Sequence, residues 1–167
     1  LPVMLAGSSW PQDEEIYAPW FNVHPDIPLI IAPHEFDADR IVGIRRRFSN
    51  GVVLLSEMEC DPDAASGCQV LVMDCMGLLS SAYRYCDIAY VGGGFGAGIH
   101  NRNEAAVYGV PVIFGPNHTR FVEALDLAAL GGGIAIAGRE GFEHWMGLLV
   151  CNSEERLRRG RWAAEYI

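Results

Sequence analysis

Seven apolar runs of strand length recur along the chain: residues 3–6 (VMLA), 29–32 (LIIA), 52–56 (VVLLS), 70–74 (VLVMD), 88–92 (IAYVG), 111–115 (PVIFG) and 133–137 (GIAIA). They constrain the fold more than any other feature. Each is almost continuously apolar and does not alternate with polar residues, as expected of strands covered on both faces. Helix-like segments separate most of them, at 37–48, 78–86 and 119–130, with a last one in the tail at 153–167. Ser9 before WPQDEE and Asn101 before RNEAAVY read as helix caps. Residues 56–69 read as the one long irregular stretch. The alternation predicts an α/β fold with a Rossmann-like, doubly wound parallel sheet in a single domain over 1–167.

Composition supports a packed domain. Half of the 167 residues are hydrophobic and a fifth are charged. No apolar run approaches the ~20 residues of a membrane helix. The opening LPVMLAGSSW has no basic region of a signal peptide and no initiator Met, so the expectation is a fragment with a partner domain upstream. A net charge of −9 argues against general nucleic-acid binding, so an anionic ligand would be held by local dipoles. The cations are twelve Arg and no Lys, which excludes P-loop and Schiff-base lysine chemistry. The five cysteines lack CxxC spacing and read as free core thiols of a reducing cytosol; no metal-ligand spacing and no cofactor signature is seen.

In such sheets ligands bind beyond the carboxyl ends of the strands. The richest strand end is GGGFGAG, five glycines in the seven residues 92–98. It formally satisfies the dinucleotide pattern G-x-G-x-x-G/A, but it follows the fifth strand, and the ribose acid expected about 20 residues on is missing. A phosphate, carboxylate or sugar loop fits better, since backbone N–H groups and a helix start favour an anion. Asn101 and Glu104 form either a capping box or a ribose-binding pair. Ser9 with Gln12 is either a second capping box or, with Gly7 and Ser8, an anion site. His34 at a strand end reads as structural or ligand-facing, and Asn117 as a turn residue or a contact. The arginines at 156, 158, 159 and 161 beside Trp162 read as a solvated helix face in preference to a membrane surface.

The motifs AGSSW, IIAPHE, DCMGLLSSAYRYCDIAYVGGGFG, GIHNRNEAA and GVPVIFGPN, in that order, resemble the C-terminal half of 3-deoxy-D-manno-octulosonic-acid (Kdo) transferases, with wording closest to the Bacteroides-like branch. The resemblance runs from Gly7 to about Gly133. It implies one half of a two-domain GT-B glycosyltransferase that binds CMP-Kdo for inverting transfer to a lipid A precursor. No metal bridge is implied. The catalytic base and the acceptor site would lie in an N-terminal domain, at the cytoplasmic side of the bacterial inner membrane. Among the residues that match, Gly7, Ser8 and Ser9 correspond to a G-S-T loop, and Met76 and Gly77 to a turn beside the nucleotide. Gly93 and Gly94 fall near the donor, and His100, Asn101 and Glu104 correspond to an H-N-x-x-E motif, with Asn101 near the phosphate and Glu104 on the ribose. The chain departs from the pattern at His34, where many relatives have Arg before the His, and at Leu78, Ile99, Arg102 and Asn103. Two rival readings are another GT-B enzyme acting on UDP-sugars, such as an epimerase or transferase, and a non-catalytic nucleotide-binding module.

Overall fold

The computed structural model describes residues 1–96, 98, 106, 108–117, 126 and 128–166. All seven apolar runs form strands: β1 (Met4–Ser9), β2 (Leu29–Pro33), β3 (Val52–Leu54), β4 (Val70–Val72), β5 (Ile88–Val91), β6 (Val112–Phe114) and β7 (Gly133–Ala135). They make one sheet in the order β3-β4-β2-β1-β5-β6-β7, and every pairing is parallel. The described helices are α1 (Pro11–Asn22), α2 (Ala38–Arg47), α3 (Leu55–Cys60), α4 (Leu79–Ala82), α5 (Arg139–Cys151) and α6 (Ser153–Tyr166).

Successive strand residues feed opposite cores. Met4, Ala6, Ile88, Tyr90 and Ile113 pack with Tyr17, Phe21, Phe142 and Met146 on one face. Leu5, Ala89, Val91, Val112 and Phe114 pack with Tyr83, Ala106 and Ala163 on the other. This period-2 division of wholly apolar strands is why the sequence shows runs and not alternation.

Three local expectations need correction. The stretch 56–69 is not irregular throughout, because α3 and a 3-10 turn at Pro62–Ala65 occupy most of it. Neither element buries a residue, so no apolar periodicity marked them. The segment 78–86 yields only the four-residue α4 and a 3-10 turn. Of the cysteines only Cys86 is buried, and Cys60 and Cys151 are exposed, so the core-thiol reading holds for Cys86 alone. Burial pushes its thiol pKa up to about 12.

Because every strand is parallel, all the carboxyl ends lie on one edge. The chain leaves β1 toward β2 on one side, and β5 lies on the other, so the connections reverse direction between β1 and β5. That topological switch point is where an open α/β sheet leaves a crevice.

Candidate functional site

At the switch point the last residues of β1 meet the glycine turn after β5. Ser8 sits in the left-handed region at φ 52°, unusual for a side chain with a Cβ, where the β1–β2 register shifts between Gly7 and Ser9. Gly92 N–H donates to the Gly7 carbonyl at 2.8 Å. A Cβ on Gly92 would lie 2.1 Å from the Ser8 carbonyl oxygen. A Cβ on Gly94 would lie 2.5 Å from the Gly115 nitrogen. These two glycines allow the ends of β1, β5 and β6 to touch backbone to backbone.

The helix start beside the crevice is not capped by Ser9. The cap is Trp10, whose N–H donates to the Asp13 carboxylate at 2.9 Å, with Pro11 at the first helical position. Ser9 is instead the last residue of β1 and wholly buried. Its hydroxyl donates to Glu14 and accepts from Tyr17 OH, each at 2.8 Å. The Ser9 side chain therefore serves the interior. Gly7 is buried too, since a Cβ there would lie 2.0 Å from the Tyr83 hydroxyl, so the partly exposed residue of this turn is Ser8.

Asp13 and Glu14 are both fully buried in the first turn of α1. Glu14 pairs with both terminal nitrogens of Arg40, whose Nη1 lies at 2.6 Å; Arg40 Nη2 also donates to the Ser9 carbonyl at 3.2 Å. Burial works to lower the Arg40 pKa, but the hydrogen bonds and charge of Glu14 outweigh it and hold it above the ordinary value. Asp13 accepts from Tyr90 OH at 2.7 Å, Gly93 N–H at 3.0 Å and Trp10 N–H. Burial raises the Asp13 pKa despite those donors, and the Glu14 charge adds to the rise. By linkage, this group's stabilising share is present below the ordinary carboxylate range and is lost as pH rises through its raised pKa. Burial likewise raises Tyr17 and Tyr90 well above ordinary tyrosines, so both keep their protons for donation.

These carboxylates already occupy the positive end of the α1 dipole, so an external anion gains little there. The Gly93 N–H, committed to Asp13, is also unavailable to a ligand in this conformation. Asn117 acts as a staple: its N–H bonds the Gly94 carbonyl and its side-chain amide the Gly96 carbonyl, both at 2.7 Å. His34 lies at the end of β2, its ring stacked on Trp10 at 4.2 Å between centroids. The two line a cavity of about 210 Å3 together with Gln12, Glu35 and Arg40. Met76 is exposed and Gly77 left-handed after β4, two strand spacings (roughly 10 Å) from β1. His100, Asn101 and Glu104 lie outside the described residues.

The residues that sequence reading overlooked are Trp10, Asp13, Glu14, Tyr17, Arg40 and Tyr90. A signal existed: Asp13, Tyr17 and Phe21 follow i, i+4, i+8, so the acid shares the buried face of α1. Among the described residues, no three His, Cys, Asp or Glu side chains gather as a metal site. No described helix is long and apolar enough to cross a membrane. The basic tail is engaged locally, as Arg158 and Arg159 both pair with Glu155, and Arg159 lies 4.5 Å from the Trp145 ring centre.

No family profile matches the chain. Over 122 residues it is 32% identical to an Arabidopsis thaliana protein named "Probable 3-deoxy-D-manno-octulosonic acid transferase, mitochondrial", an alignment covering 69% of this chain. The chain is a sequence relative of the Kdo transferases. It spans 27% of that relative's length. Among solved structures it is similar to the C-terminal CMP-Kdo binding domain of WaaA from Acinetobacter baumannii, with TM-score 0.78 and 23% identity over 99% of this chain and 88% of that one. MurG from the same organism is similar at TM-score 0.63 and 17% identity, over 99% of this chain and 45% of that one. The fold is thus that of the Rossmann-like domains of GT-B glycosyltransferases.

Proposed function

We propose that this chain is the donor-binding half of an inverting glycosyltransferase that moves Kdo from CMP-Kdo to a lipid A precursor. The observation that carries the reading is the 32% identity to a Kdo transferase; open α/β sheets bind ligands beyond the strand ends at the switch point, here between β1 and β5, which supports it. In this reading Gly7, Ser8 and Gly94 border the donor, and Met76 and Gly77 lie toward the base. Asn101 and His100 approach the phosphate, Glu104 holds the ribose, and Ser9, Gly93, His34 and Asn117 shape the walls. The leaving CMP gains negative charge as the glycosidic bond breaks, and fixed N–H donors around it lower the barrier. The catalytic carboxylate, the acceptor site and peripheral contact with the cytoplasmic face of the inner membrane belong to an N-terminal domain.

Thermal unfolding with CMP and with UDP tests this. Saturation at about 100 times Kd stabilises by about 2.7 kcal/mol, which is a rise of several degrees in Tm for a domain of this size. The expected result is that rise with CMP and little with UDP. A larger rise with UDP would favour a UDP-sugar enzyme, and none with either would contradict a donor-binding role.

A further inference from the structure

We infer that Asp13 is a positioning residue for the donor crevice, an internal carboxylate that locks the glycine turn after β5 to the helix start after β1. The inference deepens the donor-binding reading and rests on it. Its three donors come from three places: Trp10 N–H at the start of α1, Tyr90 OH within β5 and Gly93 N–H in the glycine turn. Gly93 itself is left-handed at φ 95°, and its N–H turns inward to the carboxylate. The carboxylate packs close to the glycine turn, since a Cβ on Gly92 would lie 2.9 Å from Asp13 Oδ2, and its donor Tyr90 is fully buried.

The chemistry explains why an acceptor is needed here. Trp10 N–H and Gly93 N–H both end on Oδ2 and Tyr90 O–H on Oδ1, so truncating the side chain leaves two N–H groups without their acceptor. An Asn keeps both N–H groups on its one oxygen and turns its NH2 to the Tyr90 oxygen, so truncation is the informative change. Glu14, its neighbour on α1, cannot substitute, because Arg40 and Ser9 occupy it. Asp13 thus fixes the direction of the amides around Gly93, leaving later residues of the turn to face the ligand.

The test uses the chain as it stands, with Asp13→Ala and, as a control away from the clamp, the exposed Glu57→Gln. CMP affinity is read by calorimetry and Gly93 amide exchange by NMR, both below the unfolding range. The expected result for Asp13→Ala is at least tenfold weaker CMP binding and at least tenfold faster Gly93 exchange, with strand amides of β1 and β2 still protected. Glu57→Gln changes both by less than threefold. A folded Asp13→Ala protein that binds CMP within twofold of the unsubstituted chain overturns the inference. If Asp13→Ala does not fold, the unsubstituted chain decides the matter through the scalar coupling across the Gly93 N–H···Asp13 hydrogen bond. Persistence of that coupling in the CMP complex supports a positioning role. Its disappearance on binding, with the amide released to the ligand, contradicts one. Absence of CMP binding by the unsubstituted chain would sink the donor reading; the free-state exchange of Gly93 reports the clamp separately.

Discussion

Glu14→Ala is expected to destabilise the protein by about 3–5 kcal/mol, the range for removing one partner of a buried ion pair. The Glu14 side chain is wholly buried, and that of Arg40 is 11% exposed. Without the carboxylate, the guanidinium stays between α1 and α2 with little water, and the Ser9 hydroxyl loses its acceptor. An equivalent truncation at Glu57, whose pair with Arg45 is 46% and 39% exposed, is expected to cost below about 1 kcal/mol. Denaturant unfolding of the two variants side by side checks the contrast.

Gly92→Ala is expected to cost about 3 kcal/mol or more through overpacking. The atoms a methyl would meet are backbone: the Ser8 carbonyl oxygen at 2.1 Å and its carbon at 2.7 Å. Backbone at a strand end cannot rotate away as a long side chain can, so β1 and β5 must separate. Loss of the 2.8 Å Gly92–Gly7 hydrogen bond should follow. The expected result is a fall in Tm on the order of 10 °C together with loss of CMP binding. Gly96→Ala, where the nearest atom is the Gln12 amide at 3.9 Å, should be close to neutral in stability.

The pair Gly92 and Gly96 shows what the glycine run means. In sequence all five glycines look alike, and an anion-cradling loop is the natural expectation. In three dimensions Gly92 and Gly94 are present because neighbouring backbones touch them, and Gly93 and Gly98 because φ is positive. The fold class was legible because strands buried on both faces leave unbroken apolar runs. The helix at Arg139–Cys151 was not recognised, although Phe142, Met146 and Leu149 follow i, i+4, i+7. Gly141 and Gly147 interrupt that pattern and lower its helix propensity. Of the two buried carboxylates only Asp13 left a mark in the sequence, its spacing with Tyr17 and Phe21, and Glu14 left none. Acids in a first turn ordinarily complement the helix dipole from the surface, and only the partners supplied by α2 and β5, Arg40 and Tyr90, make burial possible.

NMR titration of the isotopically labelled chain with CMP reads out whether a cytidine nucleotide binds between the ends of β1 and β5. Saturable shift changes are expected at residues 7–9 and 92–96, with smaller ones at 76–77 and none along β7. Changes confined to the opposite edge of the sheet, or no saturable change at millimolar CMP, would contradict binding there.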